Sequence, residues 1–380
     1  MIPSQRSLFD IPDDVAYFNC GYMSPLLNSV TQAGIEGIMR KANPWSLSPV
    51  DFFTESNTAR QLFADIISAG QNDIAIIPSA SYGIGIAARN LQIHKGQHIL
   101  VLEDQFPSNI YAWQELAKEN DAEIQTVLKP ANQGWTQTIL HSITPKTAIA
   151  ALPHCLWTDG GLLDLEKIGE ALRSVGAKLV LDVTQSLGAM PLDINRVKPD
   201  FLIAASYKWL LGPYSVSFIY VAPEHQDGIP LEHNWLNRKG SEDFSRLVDY
   251  QDDFQPGAIR FDMGQRANFA LMPMAVEALR QILKWGVQNI YETLTHKTAV
   301  IAEQGQQMGL KSVPLDYRAG HFLGLQFDEG VPDTLLTDLA NEKIYVSARG
   351  NSLRVTPHLY NTEEDADKLI RSLKKVLEVA

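Results

Sequence analysis

The chain has 380 residues and a formal net charge of −12; that length suffices for two domains sharing a sizeable core. The acidic balance argues against a general nucleic-acid binder, which presents a basic surface, but leaves room for a locally basic pocket that takes a small anion. Two cysteines, Cys20 and Cys155, rule out a disulfide framework and make a reducing cytoplasm the simplest setting; the first ten residues lack the apolar core of a secretory signal, and no window approaches a membrane-spanning run.

In chain order, Tyr17-Phe-Asn-Cys-Gly-Tyr-Met-Ser-Pro25 reads as an extended segment turning at Gly21, with Pro25 opening a helix. Helical periodicity runs over 28–41 and again over 51–68, where Gly70 stops it. A short apolar strand over 74–77 then enters Pro78-Ser-Ala-Ser-Tyr-Gly83, and a helical pattern follows to Ala88. A strand, a small-residue turn and a helix N-terminus together make an anion site of free backbone N–H groups; Ser79-Ala-Ser81 also fits a plain N-cap. Strands are expected over 99–102, 123–128, 148–152, 179–181, 200–205 and 217–221, with a helix over 165–174. This alternation argues for an α/β protein with a predominantly parallel sheet covered on both faces. Residues 228–257 are polar and irregular, a length that marks a functional loop. Two long helices (270–285, 287–308), strand-like segments at 320–327, 344–347 and 352–356 and an amphipathic helix over 363–377 form a small α+β unit.

The stretch from Lys178 to Pro213 carries the chemistry. One buried strand ends in Asp182 and the next runs into Ser206-Tyr-Lys208. A carboxylate and an ammonium at buried strand ends are costly unless each has a partner. Pyridoxal 5'-phosphate (PLP) supplies both, since its pyridine nitrogen pairs with an Asp and its aldehyde forms a Schiff base with a Lys. Partial burial and nearby cations would lower the Lys208 pKa as such chemistry needs.

Asp182-Val-Thr-Gln-Ser-Leu-Gly188, then Ser206-Tyr-Lys208 and Gly212-Pro213, resemble the class V, fold-type I PLP enzymes: cysteine desulfurases, kynureninase, isopenicillin N epimerase-like proteins and small class V aminotransferases. The resemblance runs from about Tyr17 to the last helix. It implies a fold-type I transferase with a mainly parallel seven-stranded sheet and a small C-terminal α+β domain, divided as residues 18–265 for the large PLP-binding domain and 1–17 with 266–380 for the small one. It implies Lys208 as the catalytic Schiff-base residue, Ala80 and Ser81 on the cofactor phosphate, Phe106 stacked on the pyridine ring, Gln185 donating its amide to the phenolic oxygen, and Tyr207 at a phosphate-contacting position. It also implies a homodimer with shared active sites, in which Gln265, where relatives often carry Thr, reaches the phosphate of the neighbouring subunit's cofactor.

Arg354, in Leu353-Arg-Val-Thr-Pro-His-Leu-Tyr-Asn361, matches the family's grip on the substrate α-carboxylate, a task suited to a bidentate guanidinium; Arg349 is a neighbouring candidate. Tyr22 borders the site and is a candidate substrate contact. At Pro153-His-Cys-Leu-Trp-Thr-Asp-Gly160 the chain departs from relatives, which carry Asn there, leaving His154 and Thr158 as open candidates; a structural, hydrogen-bonded His154 is the plainer reading. No metal is called for. The small-molecule partners implied are an amino acid and a 2-oxo acid. Residues 345–353 hold no cysteine, so persulfide-forming desulfurase chemistry is disfavoured. The pattern sits best with an isopenicillin N epimerase-like class V aminotransferase. Carbon–sulfur or carbon–carbon lyase activity is the alternative, and a noncatalytic PLP-fold binding protein the one outside enzyme classes.

Overall fold

A computed structural model describes residues 1–130 and 134–379. Its strands are β1 (Ala16–Tyr17), β2 (Ile74–Ile77), β3 (His98–Leu102), β4 (Glu123–Val127), β5 (Thr147–Pro153), β6 (Lys178–Asp182), β7 (Phe201–Ala205), β8 (Ser217–Val221), β9 (Leu323–Gln326), β10 (Ile344–Tyr345), β11 (Ser347–Arg349) and β12 (Ser352–Val355). Seven of them form one sheet in the order β2-β8-β7-β6-β5-β3-β4. Only β8 runs antiparallel to its neighbours, so the sheet is mainly parallel, as expected.

The strands read as unbroken apolar runs because both faces are covered. Leu100, Leu102, Ala150, Leu152, Leu179, Leu181, Leu202 and Ala204 enter one core cluster. The intervening Ile99, Val101, Ile149, Ala151, Val180, Phe201 and Ile203 enter the other. That is the two-residue alternation of a strand between two helical layers. The first cluster continues into the helix Leu271–Trp285 through Met272, Ala275, Leu279 and Ile282.

Beside β2 lies a fully buried charge cluster. Asp262 pairs with Arg60 from the helix Thr54–Ile67 and, at 2.8 Å, with Arg266; its second oxygen accepts the Ile76 N–H at 2.7 Å. It ties helix, strand and the 262–266 turn together, and burial pushes the Arg60 pKa down to about 10.

The C-terminal third builds an antiparallel sheet, β11-β12-β9, over its own cluster with the helix Glu363–Val379. The N-terminal segment docks here. β1 pairs in parallel with β10, Gln5 N–H donates to the Leu359 carbonyl, and Arg6 pairs with Asp365 at 2.9 Å. Residues 228–257 contain short 3-10 turns at Trp235–Asn237 and Phe244–Arg246 and an isolated antiparallel bridge between Arg238 and Phe254, and end where the 3-10 turn Gly257–Phe261 begins. No helix among the described residues is long and apolar enough to cross a membrane.

Candidate active site

The carboxyl ends of β2, β5, β6 and β7 meet at one edge of the sheet, where open α/β sheets take ligands. A cavity of ≈ 410 Å³ opens there, lined by Pro78–Ser81, Phe106, Pro153, Asp182, Gln185, Tyr207 and Lys208 among others.

β2 delivers the anion-binding corner. Ser79, extended at φ −159°, caps the helix Ala80–Asn90 by accepting the Tyr82 N–H at 3.2 Å, and its Oγ lies 2.9 Å from that of Ser81. The N–H groups of the first turn face the cavity edge without helical partners, together with the positive end of the helix dipole.

β6 and β7 deliver the titratable pair. Asp182 is 9% exposed and its Oδ1 accepts the Thr184 N–H at 3.1 Å. Lys208 is 6% exposed. Its ammonium has no salt-bridge or hydrogen-bond partner among the described residues, and Nζ stands 5.6 Å from the Phe106 ring centroid and 5.5 Å from that of Tyr207. Burial lowers its pKa to about 8, against the opposing pull of Asp182, and Arg354 and Arg349 push it further down. Such an amine is a far better nucleophile at neutral pH than a surface lysine.

Trp157 forms a wall. Its Nε1 donates to the Asp104 carbonyl at 2.6 Å and its ring meets Phe106 edge-on at 5.4 Å. Arg354 lies beside it on β12, the central strand of its sheet, and is 2% exposed. Nη1 donates to the Trp157 carbonyl at 3.0 Å, while Nε and Nη2 donate to Ser347 Oγ at 3.0 and 2.7 Å. Ser347 in turn donates to Asn19 Oδ1 at 2.8 Å, so the Tyr17–Pro25 segment helps to hold the guanidinium. Of five N–H groups, Arg354 keeps one free on each terminal nitrogen, the fork that a carboxylate accepts.

This arrangement has relatives. The family model Aminotransferase class-V matches residues 48–371. The chain belongs to that family. It is 28% identical over 338 residues to an uncharacterized aminotransferase, YcbU, of Bacillus subtilis, covering 87% of this chain and 85% of the relative. It is 25% identical over 368 residues to a kynureninase of Bacillus cereus, covering 93% and 83%. Among solved structures, a C-DES mutant with glycine covalently linked to its PLP cofactor superposes with a TM-score of 0.88 over 97% of this chain and 98% of that one, at 20% identity. The architecture is the fold-type I PLP fold, and the sequence expectation of pyridoxal phosphate agrees with the family and with the donor set around Lys208.

Ala80, Ser81, Phe106, Asp182, Gln185, Tyr207 and Lys208 all line the one cavity. Four expected residues do not: Arg354, which stands by the Trp157 ring and donates to its carbonyl without itself lining the cavity, and three others. His154 lies in a separate groove of ≈ 730 Å³ with Asp164, Asp193 and Tyr291. Its Nδ1 has no partner among the described residues, and desolvation holds its pKa down to about 3. The reason is strand parity. Pro153 pairs with Asp182 in register and shares its face, so the next residue turns to the opposite one. His154 therefore leaves the list of substrate contacts.

Tyr22 is 53% exposed and borders the site without lining the cavity; burial first, and Tyr22 last among its neighbours, raises the Tyr207 pKa. Gln265, in a left-handed conformation at φ 58°, lines a surface pocket with Ile38, Phe52 and Trp235 instead. Gln185 is in place, but one amide hydrogen already goes to the Gly21 carbonyl at 3.0 Å and its Oε1 accepts Trp209 Nε1 at 3.2 Å; one N–H remains for a ligand. The Ser206 hydroxyl is held by the Pro213 and Val216 carbonyls, a local role.

Sequence reasoning gave no role to Trp157, Cys155 or Tyr214, all of which line the cavity. Cys155 could have been found by following odd-numbered positions past β5; Trp157 lies in the turn beyond, where the even-numbered Leu156 also lines the cavity, and alternation does not mark it. Tyr214, packed on Tyr207 at 4.7 Å, carries no such signal.

Proposed function

We propose that this protein is a PLP-dependent aminotransferase that moves the amino group at the α-carbon of an amino acid. The observation that carries the reading is the unpaired, buried Lys208 amine, with its pKa near 8, in one cavity with Asp182 and the Ala80–Asn90 helix N-terminus. When bound, the cofactor supplies an electron sink for the carbanion at the substrate α-carbon. The remaining work falls to the chain. Ala80 and Ser81 hold the phosphate through backbone N–H groups and the Ser81 hydroxyl. Asp182 keeps a proton on the pyridine nitrogen. Phe106 and Trp157 wall the ring from water, and the free N–H of Gln185 serves the phenolic oxygen. Arg354 takes the substrate α-carboxylate through its two free N–H groups. Lys208 anchors the cofactor and then, as an amine neutral in part at physiological pH, takes and returns the α-proton.

The cysteines support this reading over persulfide chemistry. Cys20 and Cys155 are both fully buried, and desolvation pushes both thiols well up, away from the thiolate that attacks sulfur.

We read the assembly as a homodimer. Ile35, Ile38, Met39, Trp45 and Val50 are each at least half exposed on one stretch of chain, an apolar patch of the kind that marks an interface, and Gln265 lies in the pocket beside Ile38. Sedimentation equilibrium tests this; a monomer at micromolar concentration would refute it.

The test of activity is an amino-acid panel, L- and D-, mixed with the PLP-loaded protein. Loss of the visible band to a pyridoxamine-like spectrum, restored by a 2-oxo acid, is expected. A band that shifts but never bleaches, with release of a side-chain fragment, would replace transfer by lyase chemistry.

A further inference from the structure

Asp182 and Lys208 line the cavity, and two guanidiniums, of Arg349 and Arg354, stand by the Trp157 ring that forms its wall. Lys208, Arg349 and Arg354 sense one another, since both guanidiniums depress the Lys208 pKa and Arg349 depresses that of Arg354. Asp182 is the carboxylate that pulls the other way on Lys208. With Lys208 neutral, two guanidiniums still face one carboxylate. Neither Arg349 nor Arg354 makes a salt bridge among the described residues, in a chain with 44 Asp and Glu. One arginine is accounted for by an α-carboxylate. The other is not.

Strand geometry puts the two side by side. In the antiparallel β11–β12 pair, Ser347 opposes Arg354 and Arg349 opposes Ser352. Arg349 and Arg354 are therefore diagonal neighbours on one face, about 7–8 Å apart with their Cβ atoms somewhat closer. Both guanidiniums stand by the same indole, Arg354 Cζ 5.7 Å and Arg349 Cζ 5.3 Å from the Trp157 ring centroid, and that ring lines the cavity. Arg349 is half-buried, and the one hydrogen bond it makes is from Nη1 to its neighbour's carbonyl, Ala348 O, at 2.6 Å. Four of its five N–H groups stay free. Arg354 is clamped by Ser347 and Trp157, whereas Arg349 is not, so it can follow a longer side chain.

We propose that Arg349 is a specificity residue that binds a second acid group, making the preferred substrates dicarboxylic amino acids and their 2-oxo diacids. The spacing suits a side-chain carboxylate held beyond the α-carboxylate, and the Trp157 indole supports both guanidiniums. This inference rests on the aminotransferase reading, but it concerns recognition, and recognition can be measured without turnover.

The experiment uses the PLP-loaded protein. Dissociation constants are measured calorimetrically for non-reacting acid pairs, glutarate against valerate and succinate against butyrate. Rates of bleaching are measured for glutamate against norvaline. Wild type should favour the diacid in each pair. In Arg349→Gln the diacid-to-monoacid ratio should fall by about 10- to 100-fold, the worth of one charge-assisted hydrogen-bonded pair, and Arg349→Lys should recover part of it. A wild-type ratio near one, or a ratio that Arg349→Gln leaves unchanged while both affinities drop together, overturns the inference; the latter means that both arginines hold one carboxylate. Diacid preference that depends on Arg349, with no amino acid bleaching the band, supports the inference and refutes the aminotransferase reading. Bleaching by amino acids without diacid preference does the reverse.

Discussion

A titration of Lys208 in the cofactor-free protein follows from its surroundings. Desolvation disfavours the charged ammonium, the Asp182 carboxylate favours it, and Arg354 and Arg349 disfavour it; the balance sets the pKa near 8 in place of 10.5. At pH 7 about a tenth of the Lys208 amines are then neutral, against roughly three in ten thousand for an ordinary lysine. That is a several-hundredfold advantage in the reactive form. Because the folded pKa is depressed, the advantage shrinks as pH rises through 8 and is gone above 10.5, where both amines are neutral. Trace labelling with acetic anhydride from pH 6 to 11, read by peptide mass spectrometry against the exposed Lys95, measures it. Lys208 labelling should climb about tenfold per pH unit below 8 and then level off. Asp182→Asn should move the inflection down and Arg349→Met should move it up, because those groups act with opposite sign. An inflection above 10 in wild type, or shifts of the opposite sign, would refute the electrostatic account.

Three further outcomes are expected. Asp262→Asn leaves Arg60 and Arg266 buried without a counter-charge and should cost about 3–5 kcal/mol, seen as a lower urea midpoint; a change under about 1 kcal/mol would show that the cluster is not held by charge. Gly37→Ala puts a Cβ 1.8 Å from the Phe269 carbonyl oxygen, a backbone clash that should cost about 2–3 kcal/mol, and an unaltered melting temperature would show that the contact between the helix Asn28–Ala42 and residue 269 is looser than described. Arg354→Met should raise KM for α-amino acids by about 10- to 100-fold with the visible spectrum retained, and an unchanged KM would remove Arg354 from the site.

The sequence made most of the sheet legible because its strands are apolar runs between turn residues, and burial on both faces writes that pattern directly. Short helices were less visible. Tyr111–Glu119 buries only Trp113 and Ala117, and Trp135–Ser142 only Trp135 and Ile139, too few positions to set up a helical period. At the site, residues placed by strand ends could be read, Asp182 and Lys208 above all. His154 was assigned by its nearness in sequence to the cavity, while the two-residue alternation of β5 decides which side chains enter it. Arg354 was legible from its motif, but its clamp was not, since Ser347, Trp157 and Asn19 come from three distant segments. The free state of Arg349 is likewise a property of the folded neighbourhood, where no acid among the described residues forms a salt bridge with it.

The central claim is that Lys208 anchors pyridoxal phosphate in a site built for amino-group transfer. A visible absorption spectrum of the protein with added PLP, wild type beside Lys208→Ala, tests it most directly. A band in the wild type that survives gel filtration, is absent from the variant, and bleaches on addition of an amino acid is the expected result. A wild type that stays colourless with excess PLP, or a variant that keeps the same band without added amine, would contradict it.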